Sequence, residues 1–323
     1  MTTVLTLGVH VLDVLARPVE AIPAGQGAAL LEEIAFSPAG TAAGTAMTLA
    51  KLGATTSTAG AVGTDAIGDL LLTLLQRGGV DTSLVVRKAG VQTSATVLPI
   101  RTNGERPALH VVGANAAYGL DDLPWPALAG VDHLHLGAPE FLGGAVAARV
   151  LQVVRDAGGT TSADILAPTD PGLLAWLAPA LPLLDLLLPN EEQVLGLTGE
   201  TDLVAGCRAL VRAGVGCVAA TRGAGGAVVV GPDADEVIEV PAFAVDVVDT
   251  SGCGDAFSAG FIVGVGLGRE RQAAALLGCA AAAHVAGGLG SAHGSFDLAS
   301  LDAYVCTAAV VSRGDDAEVR TRG

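Results

Sequence analysis

DTSGCGDAFSAGF, residues 249–261, sets Gly252, Gly254 and Gly260 around two aspartates and runs straight into apolar sequence. Glycine lets a backbone take positive φ or come close to a ligand. PAFAVDVVDT, just before, reads as the end of a strand, and AFSAGFIVGVGLG, just after, as an apolar helix. The amides of Gly252, Cys253 and Gly254 would then point outward at a helix N-terminus, where an anion is favoured. Asp255 falls at the same end. A carboxylate beside a bound phosphate is electrostatically unfavourable unless a metal intervenes or it takes the proton of an attacking hydroxyl. It can equally serve as a helix N-cap, and local chemistry alone leaves both readings open.

The rest of the composition narrows the choice. The chain has 323 residues and a net charge of −16, with 17 Lys plus Arg against 33 Asp plus Glu. No basic surface is available for a nucleic-acid backbone, so any phosphate must be met by backbone amides, helix ends or metal ions. The five cysteines are odd in number and never spaced Cys-x-x-Cys, which suggests neither a disulfide framework nor a zinc ribbon. That usage fits a reducing cytoplasm. The first twenty residues lack a basic leader and carry Asp13, against a signal peptide. Prolines and Asp185 break the apolar stretch 173–189, which reads as buried core rather than a membrane span. With Lys51 and Lys88 the only lysines, there is no Gly-Lys phosphate loop, and neither G-x-G-x-x-G nor HExxH occurs. AFSAG (256–260) approaches the G-x-S-x-G hydrolase elbow, but SGCGDA supplies no strand before Ser258.

From about residue 36 short β-rich runs alternate with amphipathic ones. TAAGTAMTLAKLG (41–53) reads as a helix stopped by Gly53, and DAIGDLLLTLLQRGG (65–79) as one stopped by Gly78. HLHLG, AVAARVLQVVRDAGG, TTSAD, LLDLLLP, LVAGCRALVRAG, CVAAT and AVVVG continue the rhythm, implying a mostly parallel sheet covered on both faces, with ligands at the carboxyl ends of strands. VQTSATVLPI and RPALHVV, around Asn103-Gly104, read instead as a β-hairpin. With the irregular stretch after Asp13 it would form a small β layer, used as a lid or an oligomer contact. The expected large domain is 1–12, 36–86 and 113–311, the lid 13–35 and 87–112, and 312–323 a polar tail.

With its neighbours, 249–261 resembles the second motif of the ribokinase-like (PfkB) carbohydrate kinase family, D-T-x-G-A-G-D-x-F-x-x-G. Asp249, Thr250, Gly252, Gly254, Asp255, Phe257 and Gly260 match, and Cys253 replaces the usual alanine. Gly8 and Asp13 match an opening G-x-x-x-x-D, and GAVGTDAIG (60–68) matches G-x-V-G-x-D-x-x-G. PAGTAAGTAMTLAKLG sits where the G-G-x-x-x-N helix belongs. Asn190 opens the N-x-x-E motif, and Thr221-Arg222-Gly223 takes the place of T-x-G.

The resemblance implies an α/β three-layer sandwich with a mostly parallel central sheet and a small β-sheet lid. It also implies ATP-dependent phosphorylation of a sugar or nucleoside hydroxyl with Mg2+, the lid pairing two subunits as a homodimer. On it Asp255 is the base, and Gly252, Cys253 and Gly254 are the anion hole. Asp13, Gly40 and Gly44 border the acceptor; Asn190, Thr221, Gly223 and Thr250 border the nucleotide. Asp249, Ser251 and Gly290 offer carbonyls to a monovalent cation such as K+, and Glu191 joins the Mg2+ water network. His284 reads equally as a nucleotide contact or a packed core histidine. Two departures stand out: Gly44 replaces the family's acceptor-binding asparagine, and Gln193 its N-x-x-E glutamate. Scarce aromatics leave little to stack a base and favour a sugar over a nucleoside.

Overall fold

The computed structural model describes residues 2–166, 171–233 and 235–311, so the polar tail expected at 312–323 lies outside the described residues. The strands are β1 (Thr3–Gly8), β2 (Val11–Arg17), β3 (Glu33–Ala39), β4 (Thr55–Gly63), β5 (Asp81–Lys88), β6 (Ala95–Pro99), β7 (Leu109–Val111), β8 (His133–Gly137), β9 (Thr160–Asp164), β10 (Leu186–Leu187), β11 (Val218–Thr221), β12 (Ala227–Val230) and β13 (Val237–Val240). The helices are α1 (Thr41–Lys51), α2 (Ala66–Arg77), α3 (Trp125–Leu128), α4 (Gly144–Asp156), α5 (Pro171–Leu177), α6 (Glu191–Thr198), α7 (Leu203–Arg212), α8 (Cys253–Gly266), α9 (Arg271–Ala286) and α10 (Leu298–Thr307).

Among the described residues the main sheet runs β13-β12-β11-β10-β9-β8-β1-β4-β5, parallel except for the antiparallel β11-β12-β13 edge. Its strands are apolar on both faces, as a doubly covered sheet requires. In β12, Val228 and Val230 join the core beneath α4 and α7, while Ala227 and Val229 join the opposite core beneath α8 and α9. Small residues bring α8 and α9 together: a Cβ at Gly260 would lie 2.7 Å from the Cα of Gly278. His133 and His135 are buried in β8 and bond Thr160 and Ser162 hydroxyls, so their alternation belongs to the strand.

The second sheet, β3-β2-β6-β7, is the small lid sheet, with β6 and β7 antiparallel around the Asn103-Gly104 turn. The hairpin is shorter than 91–112 suggests, because β7 pairs over three residues only. Asp65, from the GAVGTDAIG motif, fastens the root of β6. Its carboxylate accepts from the Gly68 amide at the head of α2 (2.8 Å) and from the amide (2.7 Å) and hydroxyl (2.6 Å) of Thr93.

Three local expectations shift. The left-handed residue after α2 is Gly79 (φ 83°), Gly78 keeping φ −77°. The strand expected in 241–250 ends at Val240, and the chain then runs irregularly to α8. That segment carries Asp249 to a loop instead of a ladder. LLDLLLP yields only the two-residue β10.

Gly8, at the end of β1, takes φ 146°, and a Cβ there would run into the carbonyl of Gly137 on the neighbouring β8. Gly8→Ala should therefore destabilise the protein by roughly 3 kcal/mol or more, read as a lowered denaturation midpoint with unchanged slope.

Candidate active site

The helix at residue 253 begins without a side-chain cap: Gly252, at φ 76°, turns the chain into α8. Among the described residues no acceptor takes up the amides of Gly252 and Gly254, whereas the Cys253 amide closes a turn onto Thr250 O at 3.3 Å. Two of the three amides expected to face an anion are thus left to do so. Replacing alanine by Cys253 has little chemical effect, because the thiol lies against Ala282 O and burial pushes its pKa up to about 12. Ser258 lies inside α8, wholly buried, which disposes of the hydrolase elbow.

Asp255 follows in the first turn. Burial, with the charge of Asp13 added, raises its pKa to about 7. Asp13 projects from β2 in the lid and is itself raised to about 6, by burial first, with the Thr96 hydroxyl bond opposing and the Asp249 charge adding. Carboxyls from lid and main domain therefore share one cleft. Asp13 heads a cross-strand row on the lid: Ser37 and Thr96 flank it in register, and His110 pairs Thr96, with Oγ1 and Nδ1 3.0 Å apart.

Gly44 explains how α1 fits behind this cleft. A Cβ at position 44 would collide with the Asp255 carboxylate, so the missing side chain is what lets the helix and the acid touch. Gly40 caps the same helix at φ 89°. A third acid, Asp164 at the end of β9, is buried, and burial with the Asp255 and Glu140 charges raises it well above the carboxylate range. The sequence reading missed Asp164, although its place at the C-terminal end of TTSAD was a signal.

Asp249 is a clamp. Its Oδ1 accepts from the amide (3.0 Å) and hydroxyl (2.8 Å) of Ser251, and Oδ2 accepts from the Gly290 amide (2.9 Å). The carbonyl of Gly290 accepts from His293 N. On the nucleotide side, Asn190 and Thr221 form a bridge at the ends of β10 and β11, with Gly223 opening the next turn and Thr250 exposed at the entrance to α8. Asn190 and Gln193 exchange hydrogen bonds as a capping box on α6, and Gln193 Nε2 also donates to Ile165 O. Gln193 therefore has a structural use; Glu191 and Glu192 are exposed in the same first turn. His284 packs edge-on against Tyr304 (4.5 Å between centroids), and its Nδ1 bonds Ala280 O, the arrangement of a packed core histidine.

Residues 1–296 match the family model described as "pfkB family carbohydrate kinase". The chain belongs to that family. It is 33% identical over 267 residues to an ATP-dependent ribose-1-phosphate kinase of Halopiger xanaduensis, covering 81% of this chain and 84% of that protein. It is 30% identical over 258 residues to a fructokinase of Klebsiella pneumoniae, covering 76% and 81%. The fold is that of Arabidopsis thaliana ribokinase complexed with ribose and ATP: TM-score 0.79, 23% identity, 95% of this chain and 99% of that one. As a PfkB carbohydrate kinase the protein is a phosphotransferase with an alcohol acceptor. Among the described residues no helix is long and apolar enough to cross a membrane.

The raised pKa of Asp255 has a cost in stability. The unfolded chain releases that proton first as pH rises, so the fold is weakened through the interval from the ordinary carboxylate value up to about 7. Asp255→Asn should melt higher than wild type at pH 8, the gain closing as pH falls toward 4. Thermal melts of both proteins across this pH range check it.

Proposed function

We propose that this kinase transfers the γ-phosphoryl group of ATP to a hydroxyl of a five- or six-carbon sugar or its phosphate, with Asp255 as general base. The observation that carries the reading is the pair of unclaimed amides, Gly252 and Gly254, at the head of α8 beside Asp255, whose carboxyl feels the charge of Asp13. Asp13, flanked by Ser37 and Thr96, accepts hydrogen bonds from neighbouring sugar hydroxyls. That fixes the reacting hydroxyl beside Asp255, which takes its proton, while the Gly252 and Gly254 amides hold the phosphoryl oxygens as charge develops on them. Lid and helix head together exclude water, which would compete as acceptor.

Asn190, Thr221, Gly223 and Thr250 are read as the nucleotide side, Asn190 and Thr221 bridging beyond β10 and at the end of β11, and Thr250 exposed before α8. The oxygen donors here suit Mg2+: Glu191 and Glu192 are exposed beside Asn190 and would hold its water shell, Gln193 being committed to the fold. Mg2+ would supply neutralisation of the phosphate oxygens. A monovalent cation would have to rest on main-chain carbonyls, because the Asp249 carboxylate already accepts three hydrogen bonds. The relatives named for ribose 1-phosphate and fructose favour a sugar acceptor, as does a lid row without a Phe, Tyr or Trp ring to stack a base.

The opposite face of the lid is apolar and open. Ile34 (60%), Phe36 (53%) and Leu109 (60%) lie exposed, Phe36 and Leu109 in one cross-strand row with Val14 and Val97, and Val111 is exposed next along β7. Such a face suits a second copy of this chain. Phe36→Asp should then shift sedimentation from dimer to monomer.

ADP release from Mg·ATP across pentoses, hexoses, sugar phosphates and nucleosides identifies the acceptor. Turnover should vanish in Asp255→Asn, and Asp13→Asn should raise the acceptor KM by roughly 10- to 100-fold, the value of a charged hydrogen bond. Ligand-induced stabilisation with no turnover on any acceptor would make the protein a binder on a kinase scaffold; turnover confined to nucleosides would make it a nucleoside kinase.

A further inference from the structure

Residues 101–108, between β6 and β7, are exposed, yet one of their side chains reaches the head of α8. Arg106 Nη1 donates to Ser251 Oγ at 2.9 Å, and that hydroxyl donates onward to Asp249 Oδ1. Arg106 Nε stands 3.9 Å from the same carboxylate oxygen. The guanidinium is thereby held against the loop whose next residues are Gly252 and Gly254. Its charge is also felt by Asp13 across the cleft and by Cys253 at the start of α8.

The cleft needs a cation. Asp13 feels the charge of Asp249, Asp255 feels that of Asp13, and the nucleotide adds several more negative charges. Neither lysine is placed to help: Lys51 donates to the carbonyls of Ala292, His293 and Gly294, and Lys88 to Asp122. Arg106 spends one of its N–H groups on Ser251 and leaves 39% of its side chain open. A guanidinium has five donors in a planar fork that matches phosphate oxygens.

We propose that Arg106 contacts the transferred phosphoryl group of ATP and neutralises its charge, acting from the lid together with the Gly252 and Gly254 amides. The inference rests on the kinase reading above and adds a catalytic residue to it. Held by Ser251, the fork is oriented before substrate arrives, so little side-chain freedom is lost when phosphate binds. Without it the two amides, water and Mg2+ would have to screen the developing charge. The competing role is a simple latch, with Arg106 only fastening the lid loop to residues 249–251.

The two roles differ in what they do to nucleotide preference. Wild type, Arg106→Ala, Arg106→Lys and Arg106→Gln are titrated calorimetrically with a non-hydrolysable Mg·ATP analogue and with Mg·ADP, without acceptor. Removing the charge should cut the preference for triphosphate over diphosphate by about 10-fold or more, with ADP affinity little changed. Lys should restore part of it through charge without the fork. In turnover, Ala and Gln should lose ~100-fold or more in kcat, as for other phosphoryl-contacting arginines, with acceptor KM nearly unchanged. Gln retains a donor for Ser251 and guards against loss of the fold, checked by melting temperature. A wild-type triphosphate-to-diphosphate ratio in both Ala and Gln overturns the inference alone, as does an acceptor KM that rises while kcat holds. Wild type binding neither nucleotide removes the kinase reading and this inference with it.

Discussion

The carboxylate of Asp255 lies against the bare Cα of Gly44, at the contact between α8 and α1, and most of the site's chemistry is set by that approach. Because α1 covers it, the acid is desolvated; because Asp13 shares the cleft, its charged form is further disfavoured. Both effects push its pKa to about 7 and so toward the range in which a base is effective near neutral pH. A carboxylate in water would be ionised but weakly basic. The burial that makes this one useful also costs the fold stability, a common exchange at catalytic positions.

Holding such a contact requires that α8 not move. Behind it, α9 packs through Gly260 and Gly278, close enough that neither tolerates a side chain. In front, Asp249 ties Ser251 to Gly290, and Ser37 of the lid strand β3 accepts from Ala292 N at 3.2 Å. Lys51, at the end of α1, completes the closure. Its ammonium donates to three successive carbonyls, 292–294, and lies 4.7 Å from the centroid of the Phe296 ring. Burial lowers its pKa to about 8, the cost of seating a charge there. The loop at 292–294 is therefore clamped from the same helix that carries Gly44, and Asp249 ties the loop before α8 to Gly290 close by.

Several departures from the family pattern acquire a physical sense in this setting. Gly44 loses an acceptor-binding amide but gives α1 its close seat on Asp255. Gln193 loses a charge but caps α6 and reaches Ile165 O, just beyond Asp164. The lid row of Ser37, Asp13, Thr96 and His110 offers hydroxyl, carboxylate and imidazole groups and no Phe, Tyr or Trp ring. Such a row suits a polyhydroxylated ligand better than a purine.

The amino-acid sequence by itself determined the layered fold and the catalytic loop, because both are written in local terms. Apolar runs alternating with amphipathic ones require a doubly covered sheet, and glycines around Asp255 require a bent entry into a helix. It also marked Asp13 and Asp249 as site candidates through motif spacing. What it did not contain was distance. Whether Gly44 touched Asp255, whether Gln193 faced a metal or its own helix, and which basic residue reached the helix head depended on chain segments far apart in sequence. Arg106 and Ser251 are 145 residues apart and meet at 2.9 Å only because the lid folds over the main sheet. Only the tertiary structure decided these points, since burial and charge–charge coupling, which set the pKa of Asp255, depend on three-dimensional separation and not on order along the chain.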